Sequence, residues 1–551
     1  MKIRLMPCLF LPFAFCLTLA CARGPERPAN GPGEGYDCGA PVATVSGQVQ
    51  GAIDPGGSTC LWKGIPYAAP PVGDSRWKAP QPTVAWEGVR DTTHWGDFCM
   101  QLGVYKLLNH TRAKYSEDCL NLNVWRPRKP GTFPVMVFIH GGGYFMGAGA
   151  SPWYFGDRLS ANGDVIVVTI NYRLNAFGFF AHEELAKEDP NKSTGNYGTL
   201  DQVAALKWVK GNIDNFGGDP GNVTIFGESA GGWSICAMMA TPLASGLFQK
   251  AILESGGCEA VWPIEKGFES GRWAAGKLGC AANDLSCLRG KSAKEILDKI
   301  EINPIGYVTG GGFRYLNHQD GYVFPAGSAL AQLKSGNFNN VPLIAGSNRS
   351  EVQPLYLIMW DRYFKTPESY AAKVRRDYGP SAETILKLYP AESYGHPGLA
   401  YMDILTDRAL NCPTYEAVKA VAPQQKATYY YRFDYTGQRM GRALGAMHAM
   451  ELPFVFEAFD RWPFFFIYDI SNQKSALALS KIIQNYWIRF AKTGDPNPEG
   501  TATWLPYSPD KPELIVFDKE VKTAVPDNIE KCAFWSEYNK THDPVWAPGQ
   551  L

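Results

Sequence analysis

Val223-Thr224-Ile225-Phe226-Gly227-Glu228-Ser229-Ala230-Gly231-Gly232 joins an apolar run to a G-x-S-x-G motif and the start of a helical pattern, Gly231–Ala240. The β-branched and aromatic residues of the run predict a buried strand. Between a strand and a helix, G-x-S-x-G is typical of a nucleophile elbow, a strained turn that exposes the serine hydroxyl beside a helix N-terminus. We therefore predict Ser229 as a nucleophile; the alternative is a glycine-rich turn with an incidental serine.

Further short apolar runs and helical patterns alternate along the 551-residue chain. The predicted strands are Val135–His140, Val165–Ile170, Val223–Gly227, Ala251–Glu254, Val341–Gly346, Thr428–Tyr435 and Leu514–Phe517. The predicted helices are Gly198–Phe216, Gly231–Ala240 and Leu477–Thr493. Runs that are apolar on both faces, separated by helices, predict an α/β fold with a large, mostly parallel central sheet covered by helices and long inserted loops.

A second motif, His140-Gly141-Gly142-Gly143, directly follows a predicted strand. Consecutive glycines let backbone N–H groups approach a substrate closely. An HGGG loop and the residue after the nucleophile together form the oxyanion hole of such sites. We expect N–H donors from Gly142, Gly143 and Ala230, the alternative being a flexible hinge.

A serine nucleophile needs a base and an acid, which in this fold follow the serine in the order acid, then histidine. The histidines downstream are His318, His396, His448 and His542. His448 is favoured because it follows the predicted strand Thr428–Tyr435, although a surface histidine is an alternative. Glu351 is the first carboxylate after Val341–Gly346, and an ordinary surface glutamate is its alternative.

Composition and charge limit the other function classes. Lys and Arg number 53 and Asp and Glu also number 53, so the net charge of zero argues against nucleic-acid binding. The chain contains neither a CxxC nor an HExxH motif, and we expect no metal and no organic cofactor. The sequence makes no prediction about the oligomeric state.

The N-terminus predicts export. Lys2 and Arg4 precede the apolar run Leu5–Ala20, which is too short and too broken by proline to span a membrane. We expect a signal peptide over residues 1–22, or a lipoprotein signal to residue 20 with lipidated Cys21. A Gly/Pro-rich linker over 23–41 and one domain over 42–551 follow. The protein is expected to be secreted or periplasmic, with membrane contact only through a lipid anchor.

Long motifs resemble the type-B carboxylesterase/lipase family, the cholinesterase-like α/β-hydrolases, over about residues 45–540. The segments that carry the resemblance are Gly195–Gly232, Ser116–Val124, Lys63–Tyr67, Asn171–Arg173, Gly346–Glu351, Gly445–His448 with Glu451–Phe454, and Phe490–Gly494. The resemblance implies that Ser229, Glu351 and His448 form a catalytic triad. It also implies that Glu228 lies under the catalytic histidine and that Ser255 lies near the triad.

The resemblance implies a carboxylic-ester hydrolase that works through an acyl-enzyme with an ester and water as substrates. We expect apolar aryl or short- to medium-chain esters. Cholinesterase-like or lipase-like specificity and a catalytically silent interaction module are the alternatives. Cholinesterases bind their cation on a Trp in the first disulfide loop, whereas the loop from Cys99 to Cys119 has none and offers Tyr105 and Tyr115. Candidate pocket aromatics, with core packing as the alternative, are Tyr144, Phe145, Trp153, Tyr154, Tyr356, Trp360, Tyr363, Phe364, Phe464, Phe465 and Phe466.

Thirteen cysteines are an odd number for an exported protein. Removal of Cys8 and Cys16 with the signal, and removal or lipidation of Cys21, leaves an even set of ten. The resemblance implies the pairs Cys99–Cys119, Cys280–Cys287 and Cys412–Cys532. Among the remaining cysteines we expect Cys38 to pair with Cys60, and Cys236 and Cys258 to be buried free thiols.

Overall fold

An eleven-stranded mixed sheet crosses the part of the chain that the computed structural model describes, residues 36–103, 113–300, 314–355 and 364–542. The strands are β1 (Val42–Thr44), β2 (Gly47–Gln50), β3 (Ala52–Ile53), β4 (Thr59–Pro66), β5 (Val89–Asp91), β6 (Phe98–Cys99), β7 (Tyr115–Ser116), β8 (Asn121–Pro127), β9 (Phe133–Ile139), β10 (Ile166–Ile170), β11 (Gly218–Glu228), β12 (Lys250–Glu254), β13 (Val261–Pro263), β14 (Asn317–Gln319), β15 (Leu343–Asn348), β16 (Thr428–Phe433), β17 (Leu514–Phe517) and β18 (Lys522–Ala524). The large sheet has the order β18-β17-β16-β15-β12-β11-β9-β10-β8-β4-β3. Neighbours from β17 through β10 pair in parallel, and the outer pairs are antiparallel.

Helices fill most connections between these strands. In the described ranges they are α1 (Asp157–Gly163), α2 (Asn175–Phe179), α3 (Glu183–Glu188), α4 (Tyr197–Asn212), α5 (Ala230–Ala240), α6 (Ile264–Leu278), α7 (Leu285–Gly290), α8 (Ala293–Ile300), α9 (Ala329–Ser335), α10 (Pro367–Tyr378), α11 (Ala382–Leu388), α12 (Pro397–Thr406), α13 (Cys412–Val421), α14 (Gly441–Leu444), α15 (Leu452–Val455), α16 (Gln473–Thr493) and α17 (Ile529–Tyr538). None of the helices in these ranges is long and apolar enough to cross a membrane.

The parallel strands are buried on both faces. In β9, Val135, Val137 and Ile139 belong to one hydrophobic cluster. Met136 and Phe138 belong to the cluster on the opposite face. Alternate residues therefore serve two cores, and the strand is a continuous apolar run. The predicted α/β fold with its mostly parallel sheet is confirmed.

Each predicted strand coincides with a strand of the parallel region. The prediction Val223–Gly227 falls within β11, which begins earlier, at Gly218, and runs to Glu228. The sequence did not predict the antiparallel strands β3, β4 and β8, or the short edge strand β18. β3 and β18 are short and partly exposed, so they lack the two-sided apolar pattern on which the prediction depends. β4 and β8 are longer and mostly buried, but polar residues such as Lys63, Asn123 and Arg126 interrupt their apolar runs.

Five disulfides cross-link the described residues. They are Cys38–Cys60, Cys99–Cys119, Cys236–Cys258, Cys280–Cys287 and Cys412–Cys532, with Cα–Cα distances between 4.9 and 5.7 Å. The expectation that Cys236 and Cys258 are free thiols is therefore wrong. Cys236 lies on α5 and Cys258 lies four residues beyond β12, and the sheet brings these two elements together although they are separated by 22 residues in the chain.

The described chain begins against the sheet, not in a linker. Tyr36 donates its N–H to the Arg128 carbonyl at 3.1 Å, and Cys38 is 2% exposed. The last residues of the predicted linker 23–41 are thus part of the unit Tyr36–Leu551. The predicted signal peptide and Cys21 lie outside the described residues.

Candidate active site

Ser229 lies on a strained turn between β11 and α5. Its backbone angles are φ 60° and ψ −123°, in a region that residues with a side chain seldom adopt. The Ser229 N–H donates to the Glu254 carbonyl at 2.9 Å, and its own carbonyl accepts from the Trp233 N–H at 3.0 Å. The side chain is half-buried between the buried Glu228 and Ala230. The local geometry is that of the predicted elbow.

The glycines beside the serine are sterically required. A Cβ at Gly231 would lie 2.1 Å from the Ile139 carbonyl oxygen, and one at Gly227 would lie 2.7 Å from the same oxygen. A Cβ at Gly141 would lie 3.0 Å from Ser229 Cβ. The carboxyl end of β9 and its glycine loop therefore pass directly against the Ser229 turn, which only residues without a side chain permit.

The glycine loop presents unpaired backbone donors. Gly142 and Gly143 have φ values of 99° and 61°. In the described part of the chain, no acceptor is paired with the N–H of Gly142, Gly143 or Ala230. Unpaired N–H groups that converge beside a nucleophile are what an oxyanion hole requires.

His140 and Tyr172 fix the start of this loop. The buried His140 ring donates from Nδ1 to the Gly141 carbonyl at 2.8 Å. Burial lowers the pKa of His140 to about 4, so the ring is neutral near pH 7. The Tyr172 hydroxyl donates to the His140 carbonyl at 2.8 Å. His140 is thus a structural histidine of the loop.

The structure joins Glu351 to His448 through both side chain and backbone. His448 Nδ1 lies 2.7 Å from Glu351 Oε2. The His448 N–H donates to the Glu351 carbonyl at 2.9 Å, and Glu351 Oε1 accepts the Asn348 N–H at 2.7 Å. Glu351 is fully buried, whereas a third of the His448 side chain is exposed. This arrangement orients the imidazole and leaves Nε2 free to face the site.

His448 Nε2 lies beside Glu228, the residue that precedes Ser229. It lies 3.1 Å from Glu228 Oε1, although the contact lacks the alignment of a hydrogen bond, and this oxygen has no hydrogen-bond partner in the described ranges. Among the described residues no hydrogen bond joins Ser229 Oγ to the imidazole. Such bonds are often long or misaligned without a substrate and tighten when one binds. The structure thus places the predicted Glu228 in direct contact with His448.

The carboxylates set the charge of this histidine. Burial alone would lower the pKa of His448, but Glu228 and Glu351 outweigh it and raise the pKa. Burial raises the pKa of Glu228 to about 7, against the opposing effect of His448. An ionised Glu228 therefore stabilises the imidazolium, the form that arises when His448 accepts a proton.

Two more carboxyl groups, those of Glu254 and Glu451, are buried close enough to Glu228 to interact with its charge. Neither was predicted as a site residue. Burial raises the pKa of Glu254 to about 8, and its Oε1 accepts the Trp487 indole N–H at 2.7 Å. Burial and then Glu228 raise the pKa of Glu451 well above its usual range, and its carboxylate accepts from the Asn348 amide. A single glutamate in a sequence carries no sign that folding will bury it beside others, so only the structure reveals this cluster.

The remaining predicted residues divide between the core and the surface. Ser255 is fully buried with φ 49°, and its hydroxyl has no hydrogen-bond partner in the part of the chain that the structure describes. Of the candidate pocket aromatics, those buried in the core are Tyr144, Tyr154, Phe364 and Phe464. Those partly or largely exposed are Phe145, Trp153, Phe465 and Phe466. Those outside the described residues are Tyr356, Trp360 and Tyr363, and Tyr105 of the first disulfide loop also lies there.

Comparison with known proteins identifies the family. A profile of the carboxylesterase family matches residues 39–535. The chain belongs to the carboxylesterase family. The para-nitrobenzyl esterase of Bacillus subtilis (strain 168) is 38% identical to this carboxylesterase over 489 residues, which cover 87% of this chain and 95% of that protein. The fumonisin B1 esterase of Sphingopyxis macrogoltabida is 35% identical over 495 residues, which cover 87% and 86%.

A solved structure supports the same assignment. The carboxylesterase EST55 of Geobacillus stearothermophilus has a TM-score of 0.79 to this carboxylesterase at 34% identity, over 90% of this chain and 99% of that chain. The resemblance predicted from the motifs is therefore confirmed, and the protein is an enzyme that acts on carboxylic esters. Within the described residues no group of three or more His, Cys, Asp and Glu side chains is arranged to hold a metal ion.

Glu228→Gln is expected to shift the acid limb of the pH profile of kcat/KM to lower pH. A general base must be neutral to accept a proton, so if His448 has the predicted role, activity falls as pH falls through its pKa. The substitution removes a negative charge that raises this pKa, and a charge at this distance typically changes a pKa by about one to three units. We expect kcat to fall as well, because the imidazolium of the transition state loses a counter-ion.

A pH profile of p-nitrophenyl butyrate hydrolysis measures this shift. Glu188→Gln is a suitable control because Glu188 pairs with Arg289 and is not among the groups that shift the pKa of His448, so it should leave the profile unchanged. An acid limb of Glu228→Gln that coincides with that of the wild type would contradict the assigned electrostatic role.

Proposed function

We propose that the protein is a serine carboxylic-ester hydrolase with the triad Ser229, His448 and Glu351. The observation that carries the proposal is the strained Ser229 turn, which lies against a glycine loop with unpaired N–H groups. The 2.7 Å contact between His448 and Glu351 supports the same assignment. The serine, the histidine–glutamate pair and the backbone N–H groups are the groups that acyl transfer requires.

In the first half of the reaction, His448 Nε2 takes the proton of the Ser229 hydroxyl while Oγ attacks the ester carbonyl carbon. Glu351 holds the imidazole through Nδ1 and stabilises the imidazolium. The N–H groups of Gly142, Gly143 and Ala230 donate to the oxyanion of the tetrahedral intermediate. When the carbon–oxygen bond to the alcohol breaks, the alcohol leaves with the proton from His448, and the acyl group stays on Ser229.

Water completes the cycle. His448 removes a proton from a water molecule as its oxygen attacks the acyl carbon, and the same backbone donors hold the second oxyanion. Collapse of this intermediate returns the proton to Ser229 Oγ and releases the carboxylic acid. Glu228 remains beside Nε2 and supplies negative charge each time the imidazolium forms.

Apolar aryl or short- to medium-chain esters are the proposed substrates. Phe145, two residues after the last glycine of the loop, is half-buried, so part of its ring is exposed. The similarity to a para-nitrobenzyl esterase favours aryl esters. The described part of the first disulfide loop contains no Trp, which disfavours a cholinesterase-like cation site.

Export to an oxidising compartment belongs to the same proposal. Five disulfides in the described residues are what such a compartment permits. The predicted signal peptide over residues 1–22, or a lipid anchor on Cys21, would direct the protein to the cell surface, the periplasm or the medium.

Hydrolysis of p-nitrophenyl esters from acetate to laurate, with acetylthiocholine in parallel, separates the alternatives. We expect the highest kcat/KM on acetate or butyrate and a much lower value on acetylthiocholine. A steady rise towards laurate at an emulsion surface would indicate lipase-like specificity. Complete inactivity of the folded protein on all of these esters would overturn the proposed function in favour of a silent module.

A further inference from the structure

Tyr144, the residue directly after the three glycines, is fully buried and has no solvent-exposed surface. Its exposed fraction is 0%, so it cannot contact a substrate, although its position made it a candidate pocket residue. Its φ of 62° is unusual for a residue with a side chain. Phe179 stacks on its ring at 4.4 Å, and its carbonyl accepts the Asn175 N–H. The surrounding structure therefore holds this residue in one conformation.

The Tyr144 hydroxyl lies within a buried hydrogen-bond chain. Asn317 Nδ2 donates to it at 3.2 Å, and Ser234 Oγ lies 3.2 Å away on the other side. Ser234 Oγ is also 2.9 Å from the Ala230 carbonyl oxygen. A serine hydroxyl has one proton, and a carbonyl can only accept it. Because the Ser234 hydroxyl donates its proton to the Ala230 carbonyl, the Tyr144 hydroxyl donates to Ser234 and accepts from Asn317.

The chain ends on the helix that begins with an oxyanion donor. Ala230 is the first residue of α5, and Ser234 lies one turn further along the same helix. Tyr144 is joined by a single peptide bond to Gly143, a donor of the glycine loop. The contact between the Tyr144 and Ser234 hydroxyls thus ties together the two chain segments from which all three proposed oxyanion donors come, and Asn317 of β14 holds the Tyr144 end of this chain. Hydrogen bonds in such a buried chain reinforce one another.

We propose that Tyr144 is a positioning residue of the oxyanion hole, whose hydroxyl fixes the glycine loop relative to the first turn of α5. The inference rests on the proposed function, because it concerns the same three N–H groups. A phenylalanine would fill the same space and stack on Phe179 equally well, but it could not bridge Ser234 and Asn317. The hydroxyl is therefore the atom to test.

Tyr144→Phe is expected to lower kcat by about 10-fold while KM for p-nitrophenyl butyrate stays within about 2-fold. Displaced donors bind the oxyanion less strongly, and this loss is larger than the loss of binding to the neutral ester. The loss of a complete donor lowers kcat by about 100-fold or more. For the same reason, a trifluoromethyl ketone, which forms a charged adduct with the nucleophile, should bind about 10-fold more weakly. The measurements are steady-state kinetics and inhibition constants.

Two further variants separate positioning from stability. Tyr415→Phe removes another buried hydroxyl, 2.7 Å from the Tyr507 hydroxyl in a different part of the fold, and should leave kcat unchanged. Ser234→Ala should reproduce the loss in kcat, and the double variant with Tyr144→Phe should be little worse than either single variant, because both break one chain. Unfolding midpoints of all variants show how much stability each hydroxyl supplies.

The outcomes distinguish this inference from the proposed function. If the wild type hydrolyses esters through Ser229 but Tyr144→Phe keeps full kcat and full inhibitor affinity, only the positioning role is overturned. Equal losses of kcat in Tyr144→Phe and Tyr415→Phe would also overturn it, since they would reflect general destabilisation. If the wild type itself has no Ser229-dependent activity, the proposed function fails first.

Discussion

Ser229→Ala is expected to lower kcat for p-nitrophenyl butyrate by about 10⁵- to 10⁶-fold with little change in the unfolding midpoint. Removal of the nucleophile from a serine hydrolase abolishes the acyl-enzyme route and leaves only the contribution of the oxyanion hole and binding. The side chain is half-buried and donates no hydrogen bond among the described residues, so its removal leaves no buried partner unsatisfied. Steady-state kinetics with protein free of wild-type enzyme gives the number.

Ser160→Ala is the matched control for this substitution. Ser160 is fully buried on α1, and its hydroxyl also lacks a hydrogen-bond partner among the residues described, so the variant removes the same atom at a site without proposed catalytic groups. We expect its kcat to remain within about 2-fold of the wild type. Substantial activity in Ser229→Ala, with the control unaffected, would mean that another group is the nucleophile.

Glu351→Gln is expected to lower kcat by about 10⁴-fold, the effect of the corresponding neutral replacement in another serine hydrolase triad. Gln has the shape of Glu but no charge, and it can donate to Nδ1 and so favour the tautomer in which Nε2 carries the proton. His448 then cannot accept the Ser229 proton. The imidazolium also loses the carboxylate that lies 2.7 Å from its ring.

Two further variants test whether the charge of Glu351 and its position cause the loss. Glu351→Asp keeps the charge on a shorter side chain and should recover part of the lost activity. Glu416→Gln, on α13, neutralises a largely buried glutamate that pairs with Lys419 and should keep wild-type kcat. A Glu351→Gln enzyme that retains more than about a tenth of wild-type kcat would show that another residue orients the histidine.

The parts of the molecule that could be predicted from sequence are those with a local pattern. The buried strands around β9 and β11 are apolar on both faces, which is visible in the sequence. The glycines of G-x-S-x-G and of the triplet after His140 are also visible there, and they are needed because two chain segments pass too close together for side chains. Pattern alone left His448 and Glu351 with surface alternatives. The family resemblance selected them, and the structure brings the two side chains within hydrogen-bond distance.

Features that depend on distant parts of the chain were not predictable in the same way. The Cys236–Cys258 bridge forms because α5 and the segment after β12 lie side by side. The partners of Tyr144 come from α5 and β14, and no sequence pattern links them. The buried Glu254 and Glu451 become part of a charge cluster only when the sheet assembles.

In the proposed mechanism, Ser229 is the residue that carries the acyl group. The direct measurement is peptide mass spectrometry after inactivation with diethyl p-nitrophenyl phosphate, which transfers a phosphoryl group to an activated serine and releases p-nitrophenol. We expect one diethylphosphoryl group per chain, on the peptide that contains Ser229, with activity lost in proportion to labelling. Loss of activity with Ser229 unmodified, or modification at another residue in step with inactivation, would contradict it.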